Sequence, residues 1–135
     1  MIRYLAAYAA TAAVMVAIDL VWLGVIAKPL YQQGIGHLLS DRPNVAVAVI
    51  FYALFALGLM IFAVVPNESP ERWGQALLSA ALFGFFAYAT YDLTNLATLN
   101  NWPLGLSLID MAWGTAVSAT AAAAGKATLR LFAAG

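Results

Sequence analysis

Polar residues are so sparse along this chain that they read as punctuation between apolar runs. Four runs stand out, over residues 4–27, 44–65, 74–99 and 104–124, and the last can continue as helix toward Phe132. Each reaches roughly 20 residues, which as an α-helix rising about 1.5 Å per residue spans about 30 Å, the thickness of a bilayer's hydrocarbon core. The breaks hold helix start and stop signals. Pro29 follows the first run, Asp41-Arg42-Pro43-Asn44 opens the second and Pro66 closes it. Ser69-Pro70-Glu71 opens the third run and Asn101-Trp102-Pro103 the fourth. Capping polars with a proline near the first turn suit helix starts. The runs lack the alternation of barrel strands, and an open sheet would leave backbone groups unpaired in lipid. The pattern therefore predicts an all-α integral membrane protein, a four-transmembrane-helix bundle forming one domain over residues 1–135.

Composition agrees. Of 135 residues, 64% are hydrophobic and 9% charged, whereas soluble domains carry roughly a quarter charged residues. Six Lys and Arg balance six Asp and Glu, so no basic excess recruits nucleic acid. Cysteine is absent and His37 is the single histidine, which argues against disulfides, iron–sulfur clusters and histidine-ligated haem. The first apolar run continues from Tyr4 to Ala27, longer than the core of a cleavable signal peptide.

Four spans place both termini on one side. That side carries Arg3, Arg72, Lys126 and Arg130, against Lys28 and Arg42 in the first loop, so the positive-inside rule puts both termini in the cytoplasm. The first loop, residues 28–41, mixes Tyr31, Gln32, Gln33 and His37 with apolar residues. It reads as an interfacial connector, with a short lid as the alternative.

Three of the six acids lie inside the runs: Asp19, Asp92 and Asp110. Counted from the run ends that face the same side, each sits about six to eight residues in, a common depth of about 10 Å. Tyr52 reaches the same level. A central Asp opposes insertion by roughly 2.5–3.5 kcal/mol, and such acids face the bundle interior or a wet cavity. Helical spacing supports an inward face: Thr11, Met15, Asp19 and Trp22 on the first span, and Gly84, Tyr88, Asp92 and Asn95 on the third. On the fourth, Asp110, Gly114, Ser118, Ala121 and Gly125 form a small-residue packing stripe. Trp22 and Trp113 each follow an Asp by three residues in the shared pattern Ile-Asp-x-x-Trp, and Trp102 reads as an interface anchor. No Lys or Arg lies within a run, so the acids are left sharing protons or binding an external cation.

The string Tyr88-Ala89-Thr90-Tyr91-Asp92-Leu93-Thr94-Asn95-Leu96-Ala97-Thr98 is long and polar for an apolar chain. With Ile18-Asp19-Leu20-Val21-Trp22-Leu23-Gly24, Pro43-Asn44, Phe51-Tyr52 and Asp110-Met111-Ala112-Trp113-Gly114, it resembles the bacterial "predicted membrane protein" family of unknown function. The resemblance covers nearly the whole chain and implies a multi-pass protein of the bacterial inner membrane; it supplies no substrate, reaction or cofactor.

The leading expectation is a transporter-like or ligand-binding role in which Asp19, Asp92 and Asp110 take up a proton, a metal ion or an organic cation. Tyr52, Tyr88, Tyr91, Asn95, Asn44, Trp22 and Trp113 complete the candidate site, the aromatic rings walling a cationic group. A homodimer is expected, because four helices alone are few to enclose a path. One alternative is a membrane-embedded enzyme acting on a lipid, with one Asp as acid and another as base. Another is an accessory subunit whose polar layer acts as interhelical glue.

Overall fold

The computed structural model describes residues 1–134. Its helices are α1 (Ile2–Val21), α2 (Lys28–Ile35), α3 (Val45–Leu59), α4 (Trp73–Thr98) and α5 (Leu104–Ala134), with no strand among the described residues. Two wide π-helical turns extend α1 and α3, over Trp22–Ile26 and Met60–Val64. Short 3₁₀ turns at Val65–Asn67 and Pro70–Arg72 lead into α4. The expected boundaries hold to within a few residues because their signals act locally. Asn44 caps α3 by accepting the Val47 N–H at 3.2 Å, and Asn101, at φ 62°, reverses the chain between α4 and α5.

Three helical stretches are long and apolar enough to cross a membrane: Ile2–Ile26, Val45–Asn67 and Pro70–Thr98, with mean hydropathies of 2.2, 2.7 and 1.4. The fourth expected span, α5, is the longest helix at 31 residues yet does not join that set. The reason lies in its position. Asp110, Gly114, Ser118, Ala121, Gly125 and Lys126 are all buried, so α5 is an inner helix whose small and polar stripe meets other helices.

Both α1 and α4 pack antiparallel to α5, and glycines bring the backbones close. A Cβ at Gly84 would lie 2.1 Å from Ser118 Oγ and 2.3 Å from the Gly114 carbonyl oxygen; one at Gly114 would lie 2.2 Å from the Tyr88 ring. On the other side, a Cβ at Gly125 would meet Thr11 Oγ1 at 2.2 Å. Thr11 spends its hydroxyl on the Ala7 carbonyl, at 2.8 Å. α3 lies antiparallel to α1, as the Tyr4–Glu68, Thr11–Met60 and Asp19–Tyr52 contacts record in sequence.

The end of the bundle that holds residue 1 is closed by a buried cation. Lys126 is 0% exposed; its Nζ donates to the backbone carbonyl of Asn67, and to that of Ser69 at 2.7 Å, with the Trp73 ring 5.1 Å away. Arg72 Nε donates to Asn67 Oδ1 at 2.9 Å, and Arg3 pairs with Glu68 at 3.5 Å. Lys126 thus satisfies the Asn67 carbonyl at the end of the second long helix and shares the Ser69 carbonyl with the Arg72 N–H.

The other end departs from expectation. The first loop is more than a connector: α2 folds back onto the bundle, where Ile35 packs with Trp102 and Leu106, flanked by Leu30, Tyr31 and Leu96. Trp102 is correspondingly a core residue at 8% exposure, its Nε1 donating to Ser107 Oγ at 2.9 Å, and not a lipid-facing belt residue. Apolar side chains at Leu30, Tyr31 and Ile35 supply the burial that holds α2 down.

Gly84→Ala is expected to lower stability by about 1–3 kcal/mol, the usual cost of overpacking, seen as a lower thermal unfolding midpoint in detergent. Gly24→Ala, where nothing lies within 4 Å of the added carbon, serves as the control and should cause no loss. Equal midpoints for the two variants would contradict the close approach of α4 to α5.

Candidate functional site

Asp19 lies near the end of α1, 5% exposed, and its carboxylate joins three helices. Tyr52 of α3 donates its hydroxyl to Oδ2, and Trp113 of α5 donates Nε1 to Oδ1 at 2.8 Å. Directly after Asp19 the chain widens into the π turn that begins at Trp22. Trp22 stacks on Trp113, with ring centroids 4.4 Å apart and planes 5° from parallel. The shared Ile-Asp-x-x-Trp pattern acquires a structural meaning here. Because α1 and α5 run antiparallel, the Asp of one helix meets the Trp of the other. Only half of that exchange is made, since Trp22 Nε1 is buried with no partner among the described residues.

Asp110, 6% exposed, accepts instead from the Tyr31 hydroxyl on α2. Burial, then the Asp110 hydrogen bond, then the Asp110 and Asp92 charges push the Tyr31 phenol above its ordinary range. Asp92 lies on α4 one turn beyond Tyr88, which covers Gly114, so helical register carries it to the level of Asp110. It is 1% exposed, and neither carboxylate oxygen finds a hydrogen-bond donor among the described residues. An ionised carboxylate without a partner is expensive at such a place.

These residues surround a cavity of about 440 Å³ lined by Asp19, Leu23, Tyr31, Ala48, Phe51, Tyr52, Phe55, Ala87, Tyr88, Tyr91 and Asp110, within the range of small-molecule sites. Of the residues expected at the site, Asp19, Asp110, Tyr52, Tyr88 and Tyr91 line it directly. Trp22 and Trp113 are half-buried beside Asp19. Asp92 contributes from α4 without lining the cavity, and Asn95 is half-buried further along that helix, outside the lining. Asn44 does not belong: it is exposed and its side chain is engaged as the α3 cap.

Among the described residues no three His, Cys, Asp or Glu side chains are grouped so as to hold a metal ion. Asp19 takes its hydrogen bonds from Tyr52 and Trp113, and Asp110 takes one from Tyr31. A larger groove of about 660 Å³ runs between Tyr4, Leu5, Tyr8, Leu57, Met60, Ile61 and Val65. It has no ionisable group except two phenols, and its walls suit lipid.

Leu23, Tyr31, Ala48, Phe51, Phe55 and Ala87 line the cavity without having been expected there, Tyr31 and the two phenylalanines being the largest. For Tyr31 a signal exists: Leu30, Tyr31, Ile35 and Leu38 put an apolar face on a segment otherwise rich in Gln and Gly. For the two phenylalanines, helix periodicity in an almost wholly apolar run marks no face.

Residues 4–127 match a family described as "Predicted membrane protein (DUF2177)". No curated protein and no solved structure matches the chain.

Trp113→Phe and Tyr52→Phe each remove a hydrogen bond to a charged or buried carboxyl, and each is expected to cost about 1–3 kcal/mol of stability. In double-mutant cycles with Asp19→Asn the losses should fall short of additive; strict additivity would mean that the contacts carry no energy. Tyr31→Phe should speed hydrogen exchange in α2 while leaving α5 protected. Because the folded phenol holds its proton above the ordinary value, the Tyr31 contribution is full below about pH 10 and falls as pH rises past it. Alkaline exchange measurements on wild type and Tyr31→Phe test that sign.

Proposed function

The chain belongs to a family of predicted membrane proteins, and from that premise we propose that it binds a small organic cation within the membrane, in the carboxylate cavity, as part of a transporter-like role. One observation carries the reading. Asp19 and Asp110 line an otherwise aromatic and aliphatic cavity that no Lys or Arg lines. The sole ion pair among the described residues, Arg3–Glu68, belongs to the opposite end. Tyr52, Tyr88, Tyr91, Phe51 and Phe55 supply ring faces to a cation. An organic cation suits such walls better than a metal ion, which requires several oxygen ligands at once.

In this reading α5 is a fourth transmembrane helix. Its 31 residues exceed the length needed, its inward small-residue face lowers its hydropathy, and the exposed Thr120 hydroxyl is satisfied by the Ala116 carbonyl at 2.8 Å. The antiparallel order of α1, α3, α4 and α5 then puts both termini on one side. Arg3, Arg72, Lys126 and Arg130 make that side the cytoplasm of a bacterial inner membrane, with Asp19, Asp92 and Asp110 toward the outer leaflet. Two copies of the chain are proposed to act together.

Tetramethylammonium binding to the purified protein in nanodiscs of neutral phosphatidylcholine tests the site. Asp110→Asn and Asp19→Asn should each weaken it by about tenfold or more, equivalent to about 1.4 kcal/mol, while Asp41→Asn in the exposed first loop leaves it unchanged. Equal binding by correctly folded Asp19→Asn, Asp110→Asn and wild-type protein would overturn the reading. For topology, a reporter active only in the cytoplasm should be active when fused after residue 135, and inactive when inserted between Ser40 and Asp41. Native mass spectrometry from mild detergent reads the stoichiometry, with a dimer expected.

A further inference from the structure

Two of the helices that wall the carboxylate cavity, α3 and α4, meet over only part of their length. α3 turns Ala48, Phe51, Tyr52 and Phe55 toward it, and α4 answers with Tyr88 and Tyr91. At the level of Phe55 the helices are locked. The Phe55 ring lies 5.1 Å from Phe83 and 6.0 Å from Tyr88, centroid to centroid, and a Cβ at Gly58 would come within 2.5 Å of the Phe83 ring. Toward its N-terminus α3 parts from α4. Residues 45–51 are all exposed, and the second long helix meets α4 chiefly through the Met60–Val64 turn.

The result is a V with its apex at Phe55 and Phe83 and its open end between Ala48 and Tyr91. Exposure marks the mouth: Phe51 is 43% and Tyr91 53% exposed, whereas Asp19 and Asp110 at the back are 5% and 6%. Phe51 lies about six residues inside α3, or roughly 9 Å from its start, and Tyr91 a similar distance from the end of α4. The mouth therefore sits below the helix ends, among side chains such as Val47, Ile50 and Leu54 that are themselves exposed and apolar. From the helix ends the approach is covered by α2, held by Ile35 against Trp102 and by Tyr31 on Asp110.

We propose that the cavity loads sideways from the bilayer and that its ligand is a cationic amphiphile. The ammonium head sits between Asp19 and Asp110, and one alkyl chain lies in the V between α3 and α4 with its tail in lipid. This rests on the organic-cation reading above and adds the ligand's shape and route. The head is assigned by charge, since two carboxylates face a cavity that no cation lines. The chain is assigned by the walls, which apart from those carboxylates and the tyrosine hydroxyls are hydrocarbon. A zwitterionic phospholipid fits poorly, because its phosphate would meet the same carboxylates with no Lys or Arg in the lining to receive it.

Binding of tetramethylammonium and of decyltrimethylammonium is compared in neutral phosphatidylcholine nanodiscs, for wild type and for Ala48→Trp. Ala48 is exposed, so filling the mouth there leaves the bundle intact; Ala48→Leu is the milder second variant. Ala48→Trp should weaken the decyl compound about tenfold or more beyond whatever it costs tetramethylammonium. A decyl compound with a photoreactive diazirine at the chain end should label α3 and α4 near Ala48, Phe51 and Tyr91. Equal changes for the two ligands, no change for either, or chain-end labelling of α2 and the first loop would overturn sideways loading. Tetramethylammonium binding that ignores Asp110→Asn would instead sink the cation site itself, so the two failures are distinguishable.

Discussion

A carboxylate placed in hydrocarbon has to be solvated by its own protein, and in this fold Asp19 meets that demand by drawing on two other helices at once. Tyr52 and Trp113 each donate to one of its oxygens, so α1, α3 and α5 are tied at a single depth. Hydrophobic burial cannot set that register. Among helices surrounded by lipid, one apolar contact is much like another, and association depends on close packing and interhelical hydrogen bonds. Asp19 is thus a fastener as well as a cavity wall. The proposed ligand-binding role therefore falls on the same atoms that join the helices.

The hydrogen bonds work only because the backbones are close enough to permit them. Gly84 and Gly114 at the α4–α5 seam, and Gly125 opposite Thr11 at the α1–α5 seam, remove the side chains that would hold the helices apart. The seams differ in what they admit: Gly114 accommodates the whole Tyr88 ring, whereas Gly125 meets one hydroxyl. Tight seams around α5 leave α3 as the loosely held helix, and the cavity occurs where packing against α4 gives out. Packing and site are in this sense complementary, since the space exists because small residues were spent elsewhere.

Much of this was legible from residue order. Long apolar runs with prolines and capping residues between them gave the helices to within a few positions, because caps and prolines act over one turn. The common depth of Asp19, Asp110 and Tyr52 follows from counting at a fixed rise, and the contacts through Tyr52 and Trp113 bear out that level for Asp19. What stayed hidden required three dimensions. Helix α2 depends on a distant partner, the Trp102–Leu106 corner, that local pattern cannot reveal. Asn44 looked like a site residue by its polarity but is a local cap. Asp19 and Asp110 line one cavity with different donors, and Asp92 stands beside it with none, a division that residue order does not show. For Phe51 and Phe55 there was little to read, since in a helix apolar on every side periodicity does not show which face looks inward.

Lys126 has a bearing on kinetics. Its ammonium group, fully enclosed between the Asn67 and Ser69 carbonyls and the Trp73 ring, plugs the bundle axis at the end remote from the aspartates. Opening that end would part the ammonium from both carbonyls at once, so movement there costs more than movement at the lightly held α2.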